Sequence, residues 1–342
     1  MKKVILYFSL FILICFILPA LLTKNKTRCK EASVNEYNSI NTINKEENKN
    51  STQELFEYNK YGTIKLLHSK TGDIEELPID EYLYGVVSAE MPADFEKEAL
   101  KAQAIVARTY TIYKIQNKKH EEADICDNST CCQAWISKED RLSRWEESIR
   151  ESNWEKIKEC VNETKGQIIT YDNLPINAFF HSNSGGKTEI PINVWGGSGF
   201  PYLQVVETAG EDNYKQYSSE VILTNEELKN KLKEKYVDIS LDFLNKDDIK
   251  ILEYTESGRV KTVKFGNYNL SGVETRKIFG LKSTNFEIIK ENDNIKFSVK
   301  GYGHGVGMSQ TGADVMAKQG NKAEDIITHF YTGVEVKSVN DI

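Results

Sequence analysis

Positive charge is in short supply: 44 Lys and Arg stand against 51 Asp and Glu, a net charge of −7 over 342 residues. A chain that holds a polyanion by charge alone needs the opposite balance, so nucleic acid is excluded as a partner. Cysteine is sparse as well; six over this length cannot staple the fold as a disulfide scaffold does. No internal repeat is present, so the body is not a repeat array. What remains is about twice a typical domain length, with 39% hydrophobic and 28% charged residues, enough for one large domain or two modest ones with a real core. The 17 Tyr and 14 Phe suit carbohydrate grooves and plain cores alike.

After Met1, Lys2 and Lys3, the stretch Val4 to Leu22 carries no charge and is rich in Leu, Ile and Phe. At 1.5 Å per residue it reaches about 28 Å as a helix, enough to cross a bilayer core. The run ends Pro19-Ala-Leu-Leu-Thr23, without the small-x-small pattern of a cleaved signal peptide, so residues 1–23 read as an uncleaved transmembrane anchor. Lys24, Lys26, Arg28 and Lys30 offset Lys2 and Lys3, so charge asymmetry casts no strong vote on orientation. The short N-terminus favours an exported body: a single-pass protein of the cell membrane with an extracytoplasmic domain. Residues 24–60 turn to Asn, Lys, Glu and Ser without helical or strand period and read as a flexible stalk, leaving 61–342 as the working domain.

Within that domain Thr63 to His68 and Ile74 to Leu77 read as strands about a Lys70-Thr-Gly-Asp73 turn. Asp80 is placed to cap a helix over 81–90, stopped by Pro92, and Asp94 a second helix from Phe95 to about Asn117. Glu90 falls in the last turn of the first. There it meets the negative end of the helix dipole, which disfavours its ionised form and pushes its pKa toward the range of a general acid. Taken alone, a Glu before Met-Pro is an ordinary surface residue. Further strands are expected over 166–182 and roughly 250–302, and short helices over 313–319 and 324–330. The fold class is α+β, a single large mixed domain built around the helical pair.

Two polar loops stand out. His181-Ser-Asn-Ser-Gly-Gly186 gathers hydroxyls, amides and exposed N–H groups at a turn, which suits a hydroxyl-rich ligand or a hairpin satisfying its own backbone. Gly303-His-Gly-Val-Gly-Met-Ser-Gln310 alternates Gly, so its backbone can approach a ligand while His304, Ser309 and Gln310 present polar ends. It lacks the Lys-Ser/Thr of a phosphate loop. His120, Cys126 and Cys132, with Cys131 alongside, form the one metal-like cluster. Spacing leaves zinc and a disulfide from Cys126 to Cys131 or Cys132 equally open. Cys160 reads as a buried thiol and Cys15 as a membrane residue.

The run Gly85-Val-Val-Ser-Ala-Glu-Met-Pro-Ala-Asp-Phe-Glu-Lys-Glu-Ala-Leu-Lys-Ala-Gln-Ala-Ile-Val-Ala-Arg-Thr-Tyr110 resembles the signature of the stage II sporulation protein D family of spore-forming bacteria. The blocks at 179–186, 194–196 with 201–203, 272–286 and 303–313 match it too. The resemblance implies a membrane-anchored lytic transglycosylase that cuts the MurNAc–GlcNAc bonds of peptidoglycan glycan strands during sporulation engulfment. It further implies a preference for strands lacking stem peptides, 1,6-anhydro products, and a wall amidase and a membrane scaffold protein as partners, with a homodimer left open. Glu90, in the Ala-Glu-Met-Pro motif, is the implied acid/base. Arg108, Tyr110, His181, Ser182, Asn183, Ser184, Gly185, His304, Ser309 and Gln310 are the expected substrate-binding residues. The His-Cys-Cys zinc site of some relatives implies structural Zn²⁺ on His120, Cys126 and Cys132, with Cys131 as standby ligand.

Hydrolytic glycosidases generally need two carboxylates, whereas a lytic transglycosylase needs one. The blocks at 181–186 and 303–311 contain no acid, although Asp94, Glu96 and Glu98 lie near Glu90 in sequence. Two other classes compete: a non-catalytic wall-binding amidase enhancer, and a zinc-dependent amidase or peptidase using His120 and the cysteines. The last is disfavoured because catalytic wall zinc sites prefer His and carboxylate ligands.

Overall fold

The computed structural model describes residues 56–342; the expected anchor (1–23) and nearly all of the stalk lie outside the described residues. No helix among the described residues is long and apolar enough to cross a membrane. The body, Phe56–Ile342, is one compact unit. Phe56 and Tyr58 already pack on its core, so folded structure starts a few residues before the boundary at 61.

Alternation builds the entry hairpin. In β1 (Thr63–Leu67) Ile64 and Leu66 point inward while Thr63 and Lys65 stay outside, and β1 pairs antiparallel with β2 (Ile74–Pro78), Thr63 opposite Pro78. Pro78 leads directly into α1 (Ile79–Glu90), whose terminus is set by Pro92 and the extended backbone of Met91. Then α2 (Lys97–Gln116) runs through the middle of the domain. Ala99, Ala102, Ala104 and Ala107 keep it thin enough to be surrounded by other elements. Those elements are α1, α4 (Arg150–Glu163), β4 (Gln167–Tyr171), α8 (Gln310–Lys318) and α9 (Ala323–Phe330). A long loop after α2 holds β3 (Ile125–Cys126), parallel to β1, and leads to α3 (Lys138–Arg144). The chain closes with β14 (Glu335–Ser338) along β4, which also pairs with β5 (Leu174–Pro175).

A second core lies between residues 218 and 300. Leu228, Leu232, Val263, Phe265, Phe279, Phe286 and Phe297 pack between two sheets and two helices. One sheet is β7 (Ser218–Thr224), β12 (Asn294–Lys300) and β11 (Asn285–Glu291). The other is β8 (Ile249–Tyr254), β9 (Val260–Phe265) and β10 (Tyr268–Ser271). The helices are α6 (Asn225–Lys233), opened by a Thr224/Glu227 capping box, and α7 (Gly272–Phe279).

The mixed α+β architecture agrees with the sequence expectation, with local differences. Neither Asp80 nor Asp94 caps a helix: α1 starts before Asp80, which pairs with Arg108, and α2 starts after Glu96. The strands expected over roughly 250–302 are present but separated by α7, whose signals are Ser271 accepting from the Glu274 N–H (3.1 Å) and left-handed Gly280 at its end. Residues 176–179 form no regular ladder, although the Ile176 N–H donates to the Ile169 carbonyl of β4 (3.2 Å). Regular pairing begins at β6 (Phe180–His181), parallel to β13 (Met308–Ser309), and this short ladder joins the two polar loops.

Candidate active site

Glu90 ends α1, half-buried. Its Oε1 accepts the Ala134 N–H (2.8 Å) and its Oε2 the side-chain amide of Gln310 (3.3 Å), which also reaches Gln103 (3.4 Å). Burial raises the Glu90 pKa; the two hydrogen bonds oppose it and are outweighed. Gln310 opens α8, whose N-cap Ser309 fixes it through the Gly312 N–H (3.3 Å).

The loop that supplies Ala134 is held by polar contacts. Gln133 donates to Tyr82 (2.8 Å) and Thr111 (2.9 Å), and the Tyr110 hydroxyl donates to the Cys132 carbonyl (3.3 Å). From Tyr110 an aromatic wall continues through Phe179 (centroids 6.2 Å), Trp195 (4.6 Å from Phe179) and His304 (5.0 Å from Trp195). His181 lies behind it, 5.7 Å from His304. The His304 Nδ1 accepts the Val306 N–H (3.0 Å), which leaves the proton of the neutral ring on Nε2. Burial, with Arg259 next in effect, pushes His181 down to about 3, and His304 is likewise held well below its ordinary value. Both rings are neutral near pH 7. Trp195, at the end of the short α5 (Pro191–Trp195), is 51% exposed; its place in a matching block of sequence gives it no role by itself.

Several expected sugar contacts turn inward instead. Their common partner is Glu211, 1% exposed, which takes the hydroxyls of Ser184, Ser309, Thr208 (2.7 Å) and Thr311 (2.9 Å) and the Ser184 N–H (3.3 Å). Asn183, fully buried, donates to Thr311 (2.8 Å) and accepts from the Gly185 N–H (2.9 Å). Gly185 is there for space: at φ +71°, a Cβ would stand 2.9 Å from the Lys300 carbonyl carbon. These residues shape the loops from within, and Ser182 among them is partly exposed. Arg108 also departs from expectation. Fully buried, it donates to Asp80 (3.1 Å) and to the Thr164 (2.7 Å), Gln167 and Val161 carbonyls, tying down the end of α4. Nothing in sequence distinguishes Glu211 from a solvated loop acid, which is why it was missed.

Glu211 is not the only spent carboxylate. Glu189 accepts from Ile190, Asn193, Thr255 and Ser257, and Asp314 from Glu96, Tyr214 and Lys318. Glu90, by contrast, has one amide contact on each oxygen, leaving lone pairs for a ligand.

His120, Cys126, Cys131 and Cys132 bring one nitrogen and three sulfurs within 4.8 Å of one another, none of the cysteines being in a disulfide. Such a donor set fits a closed tetrahedral Zn²⁺ site. The three expected ligands come together, and Cys131, expected in reserve, stands with them.

With this geometry in place, a family model described as stage II sporulation protein matches residues 68–171. The stage II sporulation protein D of Bacillus subtilis strain 168 is 34% identical over 281 residues, 81% of this chain and 80% of that protein. The chain belongs to the stage II sporulation protein D family. The Bacillus amyloliquefaciens protein of the same description is 33% identical over 282 residues, 81% of this chain and 79% of its own. An amidase enhancer of Bacillus subtilis is 31% identical over 305 residues, 75% of this chain and 40% of its own length. The family match contains Glu90, Arg108, Tyr110 and the cysteine loop, while the relatives' similarity extends over most of the body.

Proposed function

We propose that this sporulation-family protein is a lytic transglycosylase acting on peptidoglycan glycan strands, with Glu90 as both acid and base. The observation that carries the reading is the state of Glu90: a carboxyl with a raised pKa and open valences beside an aromatic wall, while the buried acids around it are spent on the fold. Protonated Glu90 donates to the glycosidic oxygen between N-acetylmuramic acid and N-acetylglucosamine as the C1–O bond breaks. The carboxylate left behind faces an oxocarbenium-like C1 and takes the proton of the same sugar's C6 hydroxyl, whose oxygen bonds to C1. The proton balance closes on one residue, no water is consumed, and a 1,6-anhydro end results. Gln310 and Ala134 orient the carboxylate, Tyr110, buried beneath the wall, supports it, and Phe179, Trp195 and His304 offer the ring faces on which sugars stack.

In this proposal His120, Cys126, Cys131 and Cys132 hold a structural Zn²⁺, which would supply cross-linking and no reacting group. Ala134 follows Cys132 by two residues, so fixing the cysteines fixes the N–H that holds Glu90. The proposed setting is the outer face of the cell membrane during engulfment, anchored by residues 1–23 and working with a wall amidase and a membrane scaffold protein. The test is digestion of peptide-free glycan strands. Wild type should generate new ends and Glu90→Gln should not. Absence of new ends with wild type, alongside tight strand binding, would favour the amidase-enhancer reading that the similarity to such a protein keeps in view.

A further inference from the structure

We infer that a basic pocket beside the aromatic wall binds the carboxylate of the acidic sugar in the substrate strand, an inference that rests on the glycan-cleaving reading. The pocket, about 420 Å³, lies at the end of α7 and is walled by Arg276, Lys277, Lys282 and Tyr302, with Val273 and Leu281 among its lining. No acid lines it. Glu274, on the same helix, is engaged by Lys235 and Tyr236 (2.7 Å to the latter). Arg276 donates its Nε to the Leu281 carbonyl (3.3 Å), and its two Nη groups have no protein partner among the described residues. The Lys282 ammonium sits 4.6 Å from the centre of the Tyr302 ring, which is 41% exposed. Cations in a helix's last turn are ordinary partners of its dipole. That does not account for Lys282 joining them from beyond the helix, or for an anchored guanidinium left with its fork open.

Position gives the pocket its use. Tyr302 is paired with Asn183 through both backbone hydrogen bonds (3.0 and 2.8 Å), the Gly303 N–H donates to the Lys282 carbonyl (2.9 Å), and His304 of the wall follows. A strand along the wall therefore passes the pocket. N-acetylmuramic acid carries a lactyl ether whose carboxyl is free unless a peptide caps it as an amide. A free carboxylate matches a guanidinium fork bidentately; a capped one has neither the charge nor the second acceptor. The pocket thereby selects the acidic sugar and supplies a structural basis for the preference for peptide-free strands that the family resemblance implies.

The experiment measures binding in the Glu90→Gln protein, where turnover does not intervene, with and without Arg276→Ala plus Lys282→Ala. Lys277→Gln plus Lys282→Gln, both at exposed positions, serves if the Arg276 change unfolds the domain. Probes are peptide-free glycan strands, the same strands with carboxyls converted to methylamides, and chito-oligosaccharides of equal length. The expected result is an affinity loss of about tenfold or more for the acidic strands alone, with a shallower salt dependence. Retention of affinity within about twofold, or equal losses on all three probes, would overturn the inference. So would stronger, variant-sensitive binding of a poly(glycerol phosphate) chain, which would assign the pocket to phosphate. Charge-dependent binding by a wild type that makes no new ends would instead leave the pocket standing and remove the catalytic reading.

Discussion

Glu211 is withdrawn from water and Glu90 is half-buried, and their neighbours give them opposite uses. Glu211 is consumed by hydroxyls from three loops, so Glu211→Gln places amide hydrogens against donors. The expected cost is about 2–4 kcal/mol in denaturant unfolding, with cleavage surviving in the fraction that stays folded. Ser184→Ala and Ser309→Ala should each cost about 1 kcal/mol and leave KM unchanged; a raised KM without lost stability would return these serines to the sugar. At Glu90 the amide keeps size and some hydrogen bonding but cannot deliver a proton, so Glu90→Gln should lose about 10²- to 10⁴-fold in cleavage, toward the upper end because one group serves twice. Because burial raises the folded-state pKa of Glu90, the unfolded chain gives up this proton first as pH rises. The stability linked to it is complete below the ordinary Glu range and is lost as pH climbs through the folded value. Glu90→Gln should therefore be the more stable protein at neutral pH, with the gain fading on acidification, and wild-type cleavage should fall along the same alkaline limb. At this scale the sequence told residue type better than direction. Pro92 marked where Glu90's helix stops, but nothing in Ser184, Asn183 or Ser309 disclosed that they face a buried acid.

Elements put these residues in place, and their ends decide most of it. Helix α1 stops at Glu90, α8 starts at Gln310, and α2 passes between them with small residues on its packed faces. Arg108 on α2 secures α4 through the carbonyls at its end and through Asp80. Arg108→Ala strands those groups and should destabilise by about 3–5 kcal/mol, read in urea; a folded variant with only KM changed would contradict this placement. The hairpin 63–78 and the helical pair were legible because their periods are clean and their stops are prolines or turns. Helix α7 was obscured by the strand-like residues on either side, although Ser271 and Gly280 mark its ends. The 176–181 segment reads as a strand by composition yet forms a regular ladder only at its tip, because what lies beside it is the glycine-rich loop at 303–307. Gly307, at φ +71°, has no room for a Cβ against the Phe179 carbonyl, so Gly307→Ala should disturb β6 and β13 together and lower the melting temperature.

Across the whole molecule, two cores are joined by buried charge. Arg259, 1% exposed, donates to the Ser184 carbonyl (2.5 Å), and Glu189 accepts Thr255 and Ser257, so the 218–300 region is fastened to the loops that frame the wall. The cysteine loop fastens the other side. Cys126→Ser should lower zinc content, melting temperature and cleavage together, and chelation of wild type should do the same; a metal-free protein with unchanged stability would remove the ion from the account. The central claim is that one carboxylate breaks the glycosidic bond and then closes the 1,6-anhydro ring at the new end without water. It is tested most directly by digesting peptide-free glycan strands with wild-type protein in water enriched in heavy oxygen and weighing the new ends. The account predicts 1,6-anhydro ends carrying no label. Reducing ends that incorporate the heavy oxygen would show that water attacks C1 and would contradict it.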